Sequence, residues 1–161
     1  MLTIFKESIR NQFGASIDML ENAIVQCPSA YWESEQYWYK VYHCLFFLDY
    51  YLTMQPEYFS PPPPYTLSEF EDTMPNRVYS KAEMLIYLDA GRIKCYRTIA
   101  NLTEENIGNR WINESGTMNY SIPEILLYNM RHVQHHAAQL NLILRQKTRH
   151  APEWVERAAT S

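Results

Sequence analysis

The sequence is poor in glycine and cysteine, has no basic excess and contains no long hydrophobic run. Its 161 residues include 4 glycines, too few for a collagen-like chain, and 3 cysteines, too few for a disulfide-rich secreted domain. The net charge of −4 supplies no basic face for phosphates, so nucleic acid is not expected as a partner. The most apolar stretch, residues 41–52, is too short to span a bilayer, so no membrane association is expected.

The same features favour a cytoplasmic protein of one domain. Sparse cysteines fit a reducing compartment, and the first residues lack the basic and apolar regions of a signal peptide. Hydrophobic residues make up 47% of the chain and charged residues 20%, which provides enough apolar surface for a core. We therefore predict a single folded domain over residues 1–161.

Four segments carry apolar residues every three or four positions, as amphipathic helices do. The first ends before residue 27, and the second runs from about residue 33 to residue 54. Ser80 and Ser121 each precede a glutamate by three residues, which is typical of a helix start, and they begin the third and fourth segments. These two helices are expected to extend to about residues 102 and 149.

The connections between the predicted helices differ in length. About five residues join the first helix to the second, which predicts an antiparallel hairpin. Residues 55–79 join the second to the third and include the run Pro61–Pro64, whose extended backbone can cross the full length of a bundle. The sequence thus predicts an all-α fold, a four-helix bundle with a long proline-rich crossover between helices 2 and 3.

Four of the five histidines fall inside predicted helices, and three of those can meet. His132 and His136 are one turn apart on helix 4, a spacing that lets two imidazoles bind one metal ion. His43 lies on the apolar face of helix 2 at a similar depth. Gln139 shares the face of the pair and can hydrogen-bond a ligand, whereas His135 points about 60° away, towards an interface, solvent or the rim of the site. Hydrogen-bonded core histidines without a metal are the alternative.

Other catalytic and metal patterns lack their defining spacing. Val133 follows His132, where a zinc protease has the glutamate of H-E-x-x-H. No histidine within a helix has a glutamate three residues before it, as di-iron carboxylate bundles require. Glu124 is the only acidic residue of helix 4 and lies about three turns from His136. A nucleophile elbow and a phosphate loop are also absent, so the sequence assigns no catalytic residue.

Two stretches of the chain carry a family resemblance. Residues 131–141 read RHVQHHAAQLN, and residues 38–52 place His43 within a run of aromatic residues. They resemble the helix 4 motif H-x-x-H-H-x-G-Q-L and the helix 2 segment of the DinB/YfiT-like four-helix bundle proteins, and with the helix positions the likeness covers nearly the whole chain. Ala138 stands where the family usually has glycine, and its methyl group could narrow the helix packing or the approach to the site.

The resemblance implies one divalent metal ion bound by His43, His132 and His136, with an open coordination position. Zinc or nickel is the expected ion, and ferrous iron fits the same nitrogens. The likeness also implies an up-down-down-up bundle, a homodimer and a small-molecule substrate. Family members with known activity include metal-dependent thiol transferases, which join a low-molecular-weight thiol to an electrophile, and others resemble metal-dependent hydrolases.

We therefore expect a metal-dependent transferase or hydrolase, with thiol transfer as the preferred reaction. A bound metal ion lowers the pKa of a thiol or of water, which makes either a better nucleophile at neutral pH. The alternative is a non-catalytic metal-binding protein with a role in stress response or protein interaction. The lack of a recognisable general base in the sequence favours that alternative.

Overall fold

The computed structural model describes residues 1–159, and most of this part of the chain is helical, as an all-α fold predicts. The long helices are α1 (Leu2–Gln26), α2 (Tyr37–Tyr51), α3 (Lys81–Ala100) and α4 (Ile122–Thr148). A short antiparallel hairpin, β1 (Arg110–Ile112) and β2 (Asn119–Ser121), precedes α4 and was not expected from the sequence. None of these helices combines the length and apolar character that a membrane span requires.

The starts of α3 and α4 follow the expected capping pattern. The Ser80 hydroxyl accepts a hydrogen bond from the backbone N–H of Glu83, and the Glu83 side chain accepts one from the backbone N–H of Ser80. At α4 only the first half forms, with the Ser121 hydroxyl accepting from the Glu124 N–H. These caps satisfy backbone donors that a helix start otherwise leaves unpaired.

The start of α2 differs from the expectation. The regular helix begins at Tyr37 rather than near residue 33, because Glu35 and Gln36 adopt left-handed backbone angles, with φ of 51° and 57°. The link after α1 is therefore ten residues long and contains two short 3₁₀ turns, Ser29–Tyr31 and Ser34–Gln36. The prediction of a hairpin of the first two helices rested on a link of about five residues, and the longer link does not force these helices to pack against each other. Both α1 and α2 instead pack mainly against α3 and α4.

Tyrosine and tryptophan fill much of the core, and their polar atoms find backbone partners. The Tyr37 hydroxyl donates to the Ala23 carbonyl at 2.8 Å, and the Trp111 indole N–H donates to the Thr53 carbonyl at 2.9 Å. Such rings can be fully buried because their single polar atom is satisfied. The aromatic richness of the sequence is thus accounted for by its core.

The proline-rich crossover packs against the helices instead of forming a free linker. Tyr65 and Tyr79 are buried, and the Tyr65 ring stacks on Tyr87 of α3 with centroids 4.2 Å apart. The Tyr42 hydroxyl of α2 donates to the Thr66 carbonyl at 2.6 Å. These contacts hold the segment after Tyr65 beside α2, which matters for the site described below.

Asp49 is a buried acidic residue that ties α2 to α3. Its side chain accepts hydrogen bonds from Lys94 Nζ at 2.5 Å and from the Tyr87 hydroxyl at 3.1 Å. Lys94 also donates to the Asp49 carbonyl and to Thr53. The carboxylate is therefore paired with a cation and fully hydrogen-bonded, the condition under which a charge can be buried.

Replacing Asp49 with alanine is expected to lower the free energy of unfolding by about 2–4 kcal/mol, because the buried Tyr87 hydroxyl loses its acceptor and the Lys94 ammonium loses its counter-charge. Asp89→Ala is the matched control, since the Asp89 side chain is 67% exposed and its contact with Arg92 is 4.0 Å long. Urea unfolding of both variants measures the effect. Equal midpoints for the two variants would contradict it.

Candidate metal centre

Three histidines from two helices meet where α2 packs against α4. His43 lies near the middle of α2, and His132 and His136 lie one turn apart on α4. Their ring centroids are 5.5 Å (His43–His132), 4.8 Å (His43–His136) and 4.5 Å (His132–His136) apart. One ring nitrogen of each lies within 4.8 Å of those of the other two, which is close enough to hold a metal ion.

The spacing of the nitrogens fits coordination by two imidazoles on α4. His132 Nε2 and His136 Nε2 are 3.1 Å apart. Two imidazole nitrogens at zinc-bond distance in a tetrahedral site would be separated by about 3.3 Å. A cation between two nitrogen lone pairs turns their mutual repulsion into attraction, so this pair is suited to a divalent ion.

Glu69 reaches the histidines from the crossover. Its Oε2 lies 2.5 Å from His43 Nδ1, and its side chain is only 4% exposed. A carboxylate can only accept here, so Nδ1 carries the proton and Nε2 of the neutral ring keeps its lone pair. Carboxylates commonly orient metal-binding histidines in this way. The second oxygen, Oε1, is buried and makes no hydrogen bond within residues 1–159.

Sequence reasoning missed Glu69 and could not have chosen it. The crossover also contains Glu71 and Asp72, and no periodicity relates any of the three to the predicted helices. The hydrogen bonds of Tyr42 with Thr66 and Ser68 hold this segment beside α2 and leave Glu69 facing His43. A loop segment thus supplies the acidic residue that α4 does not place near the histidines.

The two residues expected beside the ligands occupy different environments. Gln139 Oε1 lies 2.8 Å from His136 Nδ1, and with this oxygen as acceptor the Nε2 of His136 keeps its lone pair. His135 is exposed and touches His136 through its ring, with centroids 5.2 Å apart. Ala138 is also exposed, so its methyl group does not tighten the helix packing. Gln139 can orient the metal-binding ring of His136, whereas His135 lies at the rim of the histidine cluster.

Two of the histidines are held in the neutral form that binds metals. Burial, and then the charges of the neighbouring histidines, lowers the pKa of His132 to about 3. Burial and the charge of His43 lower the pKa of His136 to about 4, although the Gln139 hydrogen bond opposes that change. At neutral pH no proton has to leave these rings before an ion binds.

Aromatic rings close one side of the cluster and leave another open. Phe47 packs against His43 with centroids 4.9 Å apart, and Tyr51 lies 5.9 Å from the ring of His132. The side chain of His43 is 31% exposed. An open depression of about 580 Å³ adjoins the site, lined by Tyr128, Arg131, His132, Gln134, His135 and Ala138.

Within residues 1–159, no other histidine, cysteine, aspartate or glutamate joins the three-histidine group. Cys44, next to His43 in sequence, is fully buried, and burial raises the pKa of its thiol. It therefore packs as a small hydrophobic residue. The site offers three nitrogen ligands and, among the described residues, no fourth protein ligand, which is the donor set of a catalytic zinc site.

No protein-family model matches the chain, and no curated protein matches it. Membership of the DinB/YfiT-like family therefore stays a prediction from the two motifs, and the chemistry of the site rests on its residues.

Glu69→Gln is expected to weaken zinc binding about 10- to 100-fold, because the amide preserves the shape of the side chain but removes the charge that orients His43. Competition with a chromophoric chelator measures the affinity. Glu71→Gln is the matched control, since Glu71 is exposed on the same segment. If both variants bind zinc as the wild type does, Glu69 has no part in the site.

Proposed function

We propose that the chain is a metal-binding protein of the DinB-like type, in which His43, His132 and His136 hold one divalent ion. The observation that carries this proposal is the convergence of three imidazoles with no fourth protein ligand among the described residues. Zinc and nickel are the preferred ions, and ferrous iron suits the same nitrogens. The residues present fit such an ion in number, type and spacing.

The arrangement of helices supports the DinB-like topology that the proposal includes. Pairing of α1 and α2 with α3 and α4 is what a four-helix bundle requires. Residues 52–80 join α2 to α3, and a connection of this length lets the two helices run in the same direction. Up-down-down-up order with the crossover between helices 2 and 3 is the proposed topology. A homodimer is part of the same proposal and rests on the family resemblance alone.

We further propose that the protein is an enzyme acting on a small molecule, with a low-molecular-weight thiol as the preferred co-substrate. When bound, the ion supplies a Lewis acid that lowers the pKa of a thiol, or of water in a hydrolase. The protein's own residues prepare the site for this. Glu69 and Gln139 orient His43 and His136, and Phe47 keeps water from one side of the rings.

Glu69 also supplies a group that the sequence did not reveal, an acidic side chain beside the histidines. Its Oε2 is engaged by His43, while its Oε1 has no hydrogen-bond partner among the described residues. Burial and the adjacent Glu69 carboxylate raise the pKa of Tyr39 to about 12, so this phenol stays protonated at neutral pH. Glu69 is the acidic side chain that contacts one of the three histidines, and we propose it as the acceptor of a proton released by a thiol or by water.

A non-catalytic metal-binding protein, acting in stress response or protein interaction, is the second candidate. The openness of the depression beside His132 favours it, because enzymes usually enclose most of a small substrate. The two candidates share the metal site and differ in whether loaded protein turns over a substrate.

Zinc- or nickel-loaded protein is expected to accelerate the reaction of a small thiol, such as cysteine or glutathione, with a chromogenic aryl halide. His132→Ala should lower this rate at least about 100-fold, because one of three ligands is lost. His150→Ala is the control, since this histidine is exposed and lies after α4. Ester hydrolysis without thiol transfer would select the hydrolase. Metal binding without either reaction would contradict the enzyme and support the non-catalytic candidate.

A further inference from the structure

A second concave site lies away from the histidines, at the C-terminal end of α3. Its volume is about 360 Å³, within the range of small-molecule sites. The end of α2, the last turns of α3 and the segment from residue 101 to the start of α4 form its walls. None of the three metal-centre histidines lines it.

The charge of this cavity opposes that of the whole chain. Lys94, Arg97 and Arg110 line it and no acidic side chain does, although the chain carries a net charge of −4. Lys94 is neutralised by Asp49, but the Arg97 guanidinium makes no ion pair or hydrogen bond within residues 1–159. Arg110 donates only to the neutral oxygens of Asn119 and keeps its charge. Both arginines are exposed to solvent, and neither has a counter-charge within residues 1–159.

Helix capping does not explain these two arginines. A cation in the last turn of a helix usually satisfies its terminal carbonyls. At the end of α3 Lys6 already does so, because its Nζ donates to the carbonyls of Ala100 at 2.6 Å and Leu102 at 3.0 Å. Arg110 belongs to β1 and not to a helix, yet it faces the same cavity.

The remaining walls combine apolar side chains with amides. Leu52, Met54, Leu102 and Ile122 form the apolar part, and Met54 is 42% exposed although it is a large hydrophobic residue. Asn101 and Asn109 supply amide groups that can donate to an oxygen, whereas the Asn106 amide already donates to the Asn101 carbonyl. Such a lining suits a ligand with one anionic group and an apolar part.

We propose that this cavity binds a small organic carboxylate with a short apolar chain, with Arg97 and Arg110 recognising the carboxylate. Arginine is suited to this task because its planar fork of donors matches the two oxygens of a carboxylate. The apolar walls then contact the chain of the ligand. This binding is independent of the metal centre.

An NMR titration of the full chain with hexanoate tests the proposal, with hexanamide as an uncharged analogue of the same shape. We expect hexanoate to shift the amide signals of residues 97–101 and 110, and hexanamide to bind at least about tenfold more weakly. Inorganic phosphate should also bind more weakly, because it gains nothing from the apolar walls. Equal affinity for hexanoate and either of these two ligands would overturn the proposal.

Variants separate this cavity from the metal centre. Arg97→Gln and Arg110→Gln should each weaken hexanoate binding about tenfold, whereas Arg149→Gln, an exposed arginine outside the cavity, should not. His132→Ala should leave hexanoate binding unchanged. The amide spectra report whether each variant is folded. Weaker hexanoate binding by either folded arginine variant supports the proposal. Unchanged hexanoate binding by the variant that combines Arg97→Gln and Arg110→Gln would contradict the proposal. Signal shifts centred on the histidines would contradict it as well.

Discussion

The contact between α2 and α4 is the constraint on which the site depends. It places His43 opposite a pair of histidines one turn apart, and it buries two of the rings enough to keep them neutral. The crossover completes the arrangement, because Tyr42 of α2 hydrogen-bonds Thr66 and Ser68 and so holds the segment that places Glu69 against His43. A loop residue, Glu69, thus supplies the carboxylate that orients His43, a metal-binding histidine on α2.

Much of the helical content and the histidine cluster could be predicted, because both follow from local periodicity. The spacing of His132 and His136 fixes their common face, and the apolar stripe of α2 turns His43 inward. The late start of α2 could not be predicted. Left-handed backbone angles are usually recognised in a sequence by a glycine, and here they occur at Glu35 and Gln36. Glu69 and the pairing of α1 and α2 with α3 and α4 depend on tertiary packing, which one sequence does not encode locally.

A polar contact in the core joins α2 to α3 at the edge of the second cavity. Asp49, six residues after His43 on α2, holds Lys94, and Lys94 lines the cationic cavity. This pairing consumes the lysine charge and leaves recognition of an anion to the two arginines. The metal centre and the cavity therefore share one helix but use different residues and opposite kinds of ligand, a cation in one and an anion in the other.

The metal content of untagged protein, measured by elemental mass spectrometry, shows whether the three histidines hold an ion. We expect about one zinc, nickel or iron per chain in the wild type and in His150→Ala, and loss of that metal in both His43→Ala and His132→Ala. Wild-type protein without metal after supplementation would contradict it, as would full metal content in both variants. Either result would make the three histidines core residues of a helical protein.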